Sequence, residues 1–296
     1  MTSRLAILTQ RLHDARTLVR DTVSLMVAAS AAFGYLLERP VIDAGFAWTL
    51  TGAMLVTGGC SAWNQLQEKD LDALIPRTRN RPLVQGRVSP AFALVLGIVC
   101  FGAGTACLYA AGGLAPASLA FVVAGLYNGL YTPLKRVSGF ALLAGAVVGA
   151  LPPVLGWLCA GGGIFAPELA LLYGVYLLWQ VPHFWMRAER DSEAYAAAKL
   201  PLPPVQFSGP GYRRLLRLWF QAYAAAVLLL PVFPLLHGPA ARIVLGLLGM
   251  ALFVGGGLLL RPGSGTPERR YALQLTDGGL AAAMLVVVLD RLMVFG

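Results

Sequence analysis

Nine apolar segments of membrane-spanning length recur along the chain, at about 22–38, 44–63, 90–110, 115–133, 138–160, 167–186, 214–236, 239–260 and 272–290. An α-helix needs roughly 20 apolar residues to cross a hydrocarbon core, and period-2 alternation is absent, so a β-barrel is excluded in favour of helices. The expected fold is all-α: a polytopic membrane bundle of nine transmembrane helices. Composition agrees, with 57% hydrophobic and only 12% charged residues among 296. A soluble domain carries about a quarter charged residues.

Alternate assignment of the connections to two sides places 20 of the 23 Lys and Arg on one, leaving only Arg39, Arg242 and Arg291 on the other. Short loops rich in Lys and Arg stay cytoplasmic. The net charge of +9 therefore reads as topology, and no nucleic-acid partner is expected. The N-terminus falls inside and the C-terminus outside. No secretory leader is expected at the start. A single domain, 1–296, is expected. Within 1–20, Leu5, Leu8, Leu12 and Ala15 recur at helical spacing among arginines, as in an interfacial amphipathic helix or a solvated tail. Cys60, Cys100, Cys107 and Cys159 lie in or beside apolar runs without a CxxC pair, so they read as buried small hydrophobes.

Between the second and third spans, "NQLQEKDLDALIPRTRNRPL" (64–83) gathers acids and then bases. On a helix, Asn64, Glu68 and Asp72 share one face, while Asp70 points away. Two carboxylates and an amide supply hard oxygens for Mg²⁺, which commonly joins a few carboxylates to substrate phosphates. Arg77, Thr78 and Arg81 come next, and the planar guanidinium fork matches phosphate. A solvated, topology-setting loop would explain the bases but not the spacing of the acids.

The pattern N-x-x-x-(D/E)-x-x-x-D then R-T-x-x-R-P resembles the UbiA superfamily of intramembrane prenyltransferases. "DLDALIPRTRNRPL" looks most like its protoheme IX farnesyltransferase (haem O synthase) branch. "LYNGLYTPLKR" (126–136), "GALPPVLGW" (149–157) and "LLWQVPHFWMRAERDSEAYAAAKLPLPPV" (177–205) resemble further blocks of that branch. The resemblance runs from about residue 60 to 205. It implies nine spans, farnesyl diphosphate as donor, haem B as acceptor, Mg²⁺ as cofactor, and haem O with diphosphate as products. It also places a diphosphate-contacting lysine at Lys135.

Other residues fit around that expectation. Tyr131 lies one turn before Lys135 and carries a hydroxyl donor; Arg136 reads equally as a phosphate contact or a positive-inside charge. Pro182 removes a helix donor, so the sixth span should kink or loosen there. His183, Arg187 and Asp191 form one four-step stripe and Glu189 with Glu193 another. Asp191, with Glu189 or Glu193, is the expected second acidic cluster and a tentative metal ligand. Trp179 and Phe184 suit a flat macrocycle or a prenyl tunnel, whereas Trp185 reads as an interfacial belt residue.

Four positions depart from the branch: Glu68 replaces Asp, Ala194 replaces the Asp before Tyr195, "VSGFALLAG" stands after Arg136, and "LVR" (18–20) stands where K-P-R is usual. Alternative readings are a member with an aromatic, quinone-precursor acceptor, or a non-catalytic relative binding haem or prenyl lipid. A transporter fits less well, because the mid-span positions read as apolar and the charges gather at one end. The sequence names no haem-handling protein partner; the lipid bilayer of a bacterial inner membrane is the expected surroundings.

Overall fold

The computed structural model describes residues 2–201, 210–261 and 265–295, so positions 202–205 of the 177–205 block lie outside it, as does the side chain of Leu5. Among the described residues all regular structure is helical. An N-terminal helix α1 (Thr2–Val19) leads into α2 (Asp21–Glu38), α3 (Ala44–Gln67), the short α4 (Lys69–Leu74), α5 (Pro90–Gly112) and α6 (Leu114–Ala124). A π-helical turn, Gly125–Tyr131, joins α6 to α7 (Thr132–Leu134), and α8 (Ala141–Gly149) runs into α9 (Leu151–Cys159). Then come α10 (Pro167–Arg190), α11 (Ser192–Ala197), α12 (Pro210–Leu229), α13 (Pro239–Leu259) and α14 (Thr266–Phe295).

Local signals set several starts. Asp43 accepts from the Phe46 N–H and Ser89 from the Phe92 N–H, while Pro90, Pro167, Pro210 and Pro239 each open a helix. A proline there loses nothing, because the first helical N–H groups have no intrahelical partner. The helices close into a bundle. α3 packs on α5, α2 on α9, α10 on α8 and α12, and α13 on α14, which returns to α2.

Contact at the α2–α9 crossing is unusually close. A methyl group added at Gly156 would lie 1.8 Å from the Ala31 carbonyl oxygen, and one at Gly34 1.9 Å from that of Pro153. Small residues let helix backbones approach within a membrane, where dispersion rather than water exclusion drives association.

Among the described residues six helical stretches are long and apolar enough to cross a membrane: Pro90–Gly112, Leu114–Leu134, Ala141–Cys159, Pro210–Val232, Pro239–Leu259 and Pro267–Met293. The molecule is a multi-pass membrane protein. The nine-span count is thus met in six places; α2, α3 and α10 do not qualify. α3 ends in Asn64, Gln65 and Gln67, and α10 in His183, Arg187, Glu189 and Arg190. Polar residues dilute the helices that carry the candidate site.

Two local expectations change. α10 runs unbroken through Pro182, and the irregular turn falls instead at Gly125–Tyr131. Trp185 is not a belt residue: it is buried, stacked on Tyr212 at 5.7 Å, and its carbonyl accepts from the Tyr212 hydroxyl. The four cysteines are free.

In α1, Leu8 and Leu12 are exposed, whereas Asp14 is buried against Arg87 at 3.0 Å and Leu18 packs with Leu83 and Ala93. The inward face is thus pinned to the loop after α4, and the leucines point away from the bundle.

Candidate active site

Asn64, Glu68, Asp72 and Arg81 of the 64–83 stretch come together at the end of α3, with Lys135 beside them. The helix breaks at Glu68, the residue between α3 and α4, so the three expected ligands do not share a single straight helix. Backbone bonds nevertheless continue across the break, from the Glu68 N–H to Asn64 O and from the Asp72 N–H to Glu68 O. Asn64, Glu68 and Asp72 therefore all turn inward and are buried.

Each carboxylate has one oxygen committed to a cation. Glu68 Oε1 accepts from Lys135 Nζ at 2.7 Å, and Asp72 Oδ2 accepts from Arg81. The other oxygen of each has no hydrogen-bond partner among the described residues. Burial raises the Asp72 pKa against the opposing pull of Arg81. Burial also works against the Lys135 charge, but Tyr131 and Glu68 outweigh it and raise that pKa. The Lys135 ammonium sits 5.0 Å above the Tyr131 ring, which stacks on Tyr127.

Arg20, noted in the sequence only as part of a departing "LVR", joins this pocket. Its guanidinium donates to Asn64 Oδ1 at 3.1 Å and to the Tyr127 hydroxyl at 3.2 Å. The residue has φ of 49°, a left-handed conformation rare outside glycine. That bend between α1 and α2 aims the side chain inward. Asn64 Nδ2 in turn donates to Thr132 Oγ1, and that hydroxyl donates to the Tyr127 carbonyl inside the π turn.

The remaining expected residues lie apart from one another. Arg136 does not enter the pocket; it is half exposed, donates to Asp70 and to the Gln67 carbonyl, and holds the Asp70 carboxyl down to about 2. Thr78 is buried and its hydroxyl donates to the Asp72 carbonyl, so it shapes the turn rather than facing a substrate. Arg77 pairs with Asp191 at 3.0 Å, tying the loop to the end of α10. Beside that pair lies a cavity of about 190 Å³ lined by Pro76, Arg77, Asp191, Glu193 and Ala194 among others. Glu189 points elsewhere and pairs with Arg269 at 3.2 Å.

The His183–Arg187–Asp191 stripe also divides, because α10 stops at Arg190. His183 Nδ1 lies 2.6 Å from Asp277 Oδ1 and Arg187 lies 3.8 Å from the same carboxylate, while Asp191 turns to Arg77. Trp179 and Phe184 flank the His183 ring at 4.6 and 5.5 Å. Asp277 carried no local motif; only its charge inside an apolar span could have flagged it.

Among the described residues no group of three or more His, Cys, Asp and Glu could hold a metal. The pocket offers two carboxylates and one amide oxygen instead. That donor set fits Mg²⁺, which keeps waters and substrate phosphates in most of its coordination sphere.

The model of the UbiA prenyltransferase family matches residues 25–276. A protein named protoheme IX farnesyltransferase from Nitratidesulfovibrio vulgaris (strain DP4) is 46% identical over 279 residues, covering 94% of this chain and 95% of that one. Among solved structures, digeranylgeranylglyceryl phosphate synthase superposes with a TM-score of 0.79 at 13% identity, over 96% of this chain and 99% of that one. A UbiA homolog from Archaeoglobus fulgidus bound to GPP and Mg²⁺ gives 0.66 at 15% identity, over 93% and 99%. Those two likenesses concern the fold; the sequence relatives and the family model concern ancestry. This chain is a prenyltransferase and belongs to the UbiA prenyltransferase family.

Proposed function

We propose that the chain transfers a farnesyl group from farnesyl diphosphate to a vinyl group of haem B, giving haem O and diphosphate, with Mg²⁺ as cofactor. The observation that carries the diphosphate half is the buried Glu68–Lys135 contact at 2.7 Å beside Arg20, Asn64 and Asp72, where anion and cation acceptors interleave. The acceptor half is supported by the relatives named protoheme IX farnesyltransferase.

Asn64, Glu68 and Asp72 would hold the metal, which when bound supplies charge neutralisation for the diphosphate oxygens. Lys135, Arg20 and Arg81 surround the same place and donate to the leaving group as its charge grows, the term that usually matters most in such reactions. The farnesyl C–O bond breaks with its electron pair going to diphosphate. A vinyl carbon of the acceptor then bonds the allylic carbon, and water adds to the resulting cation, its proton leaving to solvent. Leu142 and Ala146 of α8, Val154 of α9 and Val181 of α10 share one apolar cluster, and these helices would keep water from the allylic cation until the acceptor attacks. No covalent nucleophile takes part.

We further propose that α2, α3 and α10 also cross the bilayer, giving nine spans and one domain over 1–296. The cytoplasmic face carries the N-terminus and the site, and the C-terminus lies outside, in a bacterial inner membrane. The exposed Leu8 and Leu12 of α1 suit an interfacial position.

The test is incubation of the purified chain with haem B, farnesyl diphosphate and Mg²⁺, and then mass analysis of the porphyrins. The haem O mass should appear, vanish with a chelator and return with added Mg²⁺. Prenylation of a quinone precursor in place of haem would replace the acceptor, and an unchanged rate in the chelator would remove the metal.

A further inference from the structure

Arg81 reaches Asp72 from a stretch of chain, residues 75–89, that contains no helix or strand. Side chains on loops are aimed less sharply than those on helices unless neighbouring groups fix the backbone. Here the fixing group is Arg87. The carbonyls on either side of Arg81 both accept from it, Asn80 O from Nη2 at 3.2 Å and Pro82 O from the main-chain N–H at 3.0 Å.

Arg87 is itself held from outside the loop. Its Nε donates to both oxygens of Asp14 on α1, at 3.1 and 3.2 Å, and its Nη2 to Oδ1 at 3.0 Å. A guanidinium that meets a carboxylate through two nitrogens has its plane fixed as well as its position. Asp14 is buried, and Gln10, one turn earlier, donates to its Oδ1 at 3.1 Å. α1 is fastened in turn to α3, because the Gln65 amide donates to the Thr17 and Leu18 carbonyls at 3.0 and 2.8 Å. Leu18 is buried with Leu83 and Ala93, so apolar packing already joins α1 to the loop. A buried carboxylate is costly to desolvate, and docking of α1 alone does not require one. What Asp14 adds to that docking is direction.

We propose that Asp14 is a positioning residue for the diphosphate site: through Arg87 it holds the backbone on both sides of Arg81 and so aims the Arg81 guanidinium beside Asp72. The proposal rests on the diphosphate reading above. Neither Asp14 nor Arg87 touches the diphosphate. Their effect reaches it only through Arg81.

The test is calorimetric titration of the purified full-length chain in lipid nanodiscs with inorganic pyrophosphate in the presence of Mg²⁺. Asp14→Ala and Arg87→Ala should each weaken binding about tenfold, the weight of one charge-assisted hydrogen bond. The double variant should lose no more than either alone, because the two residues act as one unit. In an Arg81→Gln background, Asp14→Ala should add no further loss. Arg16→Ala, which removes only an exposed pair with Asp21, should bind as the wild type does. If Asp14→Ala does not fold, Asp14→Asn decides: the amide keeps the shape but offers one oxygen to the Arg87 fork, and binding should weaken several-fold. A lowered thermal midpoint with wild-type pyrophosphate affinity would make Asp14 structural alone and overturn the positioning role. A second full loss in the Arg81→Gln background overturns the route through Arg81. A wild type that binds no pyrophosphate overturns the diphosphate reading, and the positioning role with it.

Discussion

Glu68 and Lys135 form the buried ion pair on which the proposed diphosphate site turns. Neither charge is stable alone in a buried setting, and removing one partner leaves the other without compensation. Glu68→Gln keeps the volume but removes a carboxylate from the proposed metal set and frees Lys135. Turnover should drop by about 10²–10³-fold, the usual cost of losing one preorganised charge contact. The protein should remain folded in the membrane, and unchanged turnover of the purified variant would refute the role. Asp72 offers a pH test. Its carboxyl is already raised by burial, with Arg81 opposing that shift. In Arg81→Gln the opposition is gone, so Asp72 protonates at higher pH and the carboxylate proposed to bind metal is lost sooner as pH falls. The acid limb of the kcat/KM profile should therefore move upward in pH. Arg136 is the contrast. Its exposed pair with Asp70 is worth at most about 1 kcal/mol, so Arg136→Ala should leave both activity and thermal midpoint close to wild type.

At the scale of elements, the π turn Gly125–Tyr131 explains how a helix end comes to face Glu68. An extra residue in the turn rotates α7 and Lys135 about the helix axis. Asn128 Nδ2 can then donate to the Cys60 carbonyl, Gln67 to the Asn128 carbonyl, and Lys135 can reach Glu68. Such bulges are common at functional sites. Elsewhere in the bundle the α2–α9 crossing fixes the scaffold on which α8 and α10 lie. Since a methyl at Gly156 would overlap the Ala31 carbonyl, Gly156→Ala must push the two backbones apart. Overpacking of this kind costs about 1–3 kcal/mol. A lowered thermal midpoint in detergent is the expected result; an unaltered midpoint would show that the crossing relaxes freely.

For the whole molecule, charge asymmetry and helix order together make a prediction about orientation. Val137, in the loop after α7, and Phe165, in the loop before α10, are both exposed and lie at opposite ends of the α8–α9 span. In a background without the four native cysteines, Val137→Cys should react with a membrane-impermeant maleimide only from the cytoplasmic side. Phe165→Cys should react only from the other. Labelling of both from one side would reverse or break the proposed topology. The spans also proved less uniformly apolar than the sequence suggested. Thr276 is buried and donates to the Ala272 carbonyl, and His183 pairs with Asp277.

The sequence alone determined the all-helical, multi-pass class, because spanning length and the absence of alternation leave no other way to satisfy the backbone in lipid. It also determined family membership, through four ordered blocks, and it picked out Asn64, Glu68, Asp72 and Lys135 by spacing and resemblance. What it could not decide was which partners those residues meet. Arg20 reaches Asn64 across 44 positions and His183 reaches Asp277 across 94. No periodicity within one helix encodes a contact between two. The same limit sent Arg136 to Asp70 and Glu189 to Arg269, and it placed Trp185 in the core. Helical spacing fixes only the face on which a side chain emerges. The crossing of whole helices, set by glycine contacts and bundle closure, decides what stands opposite.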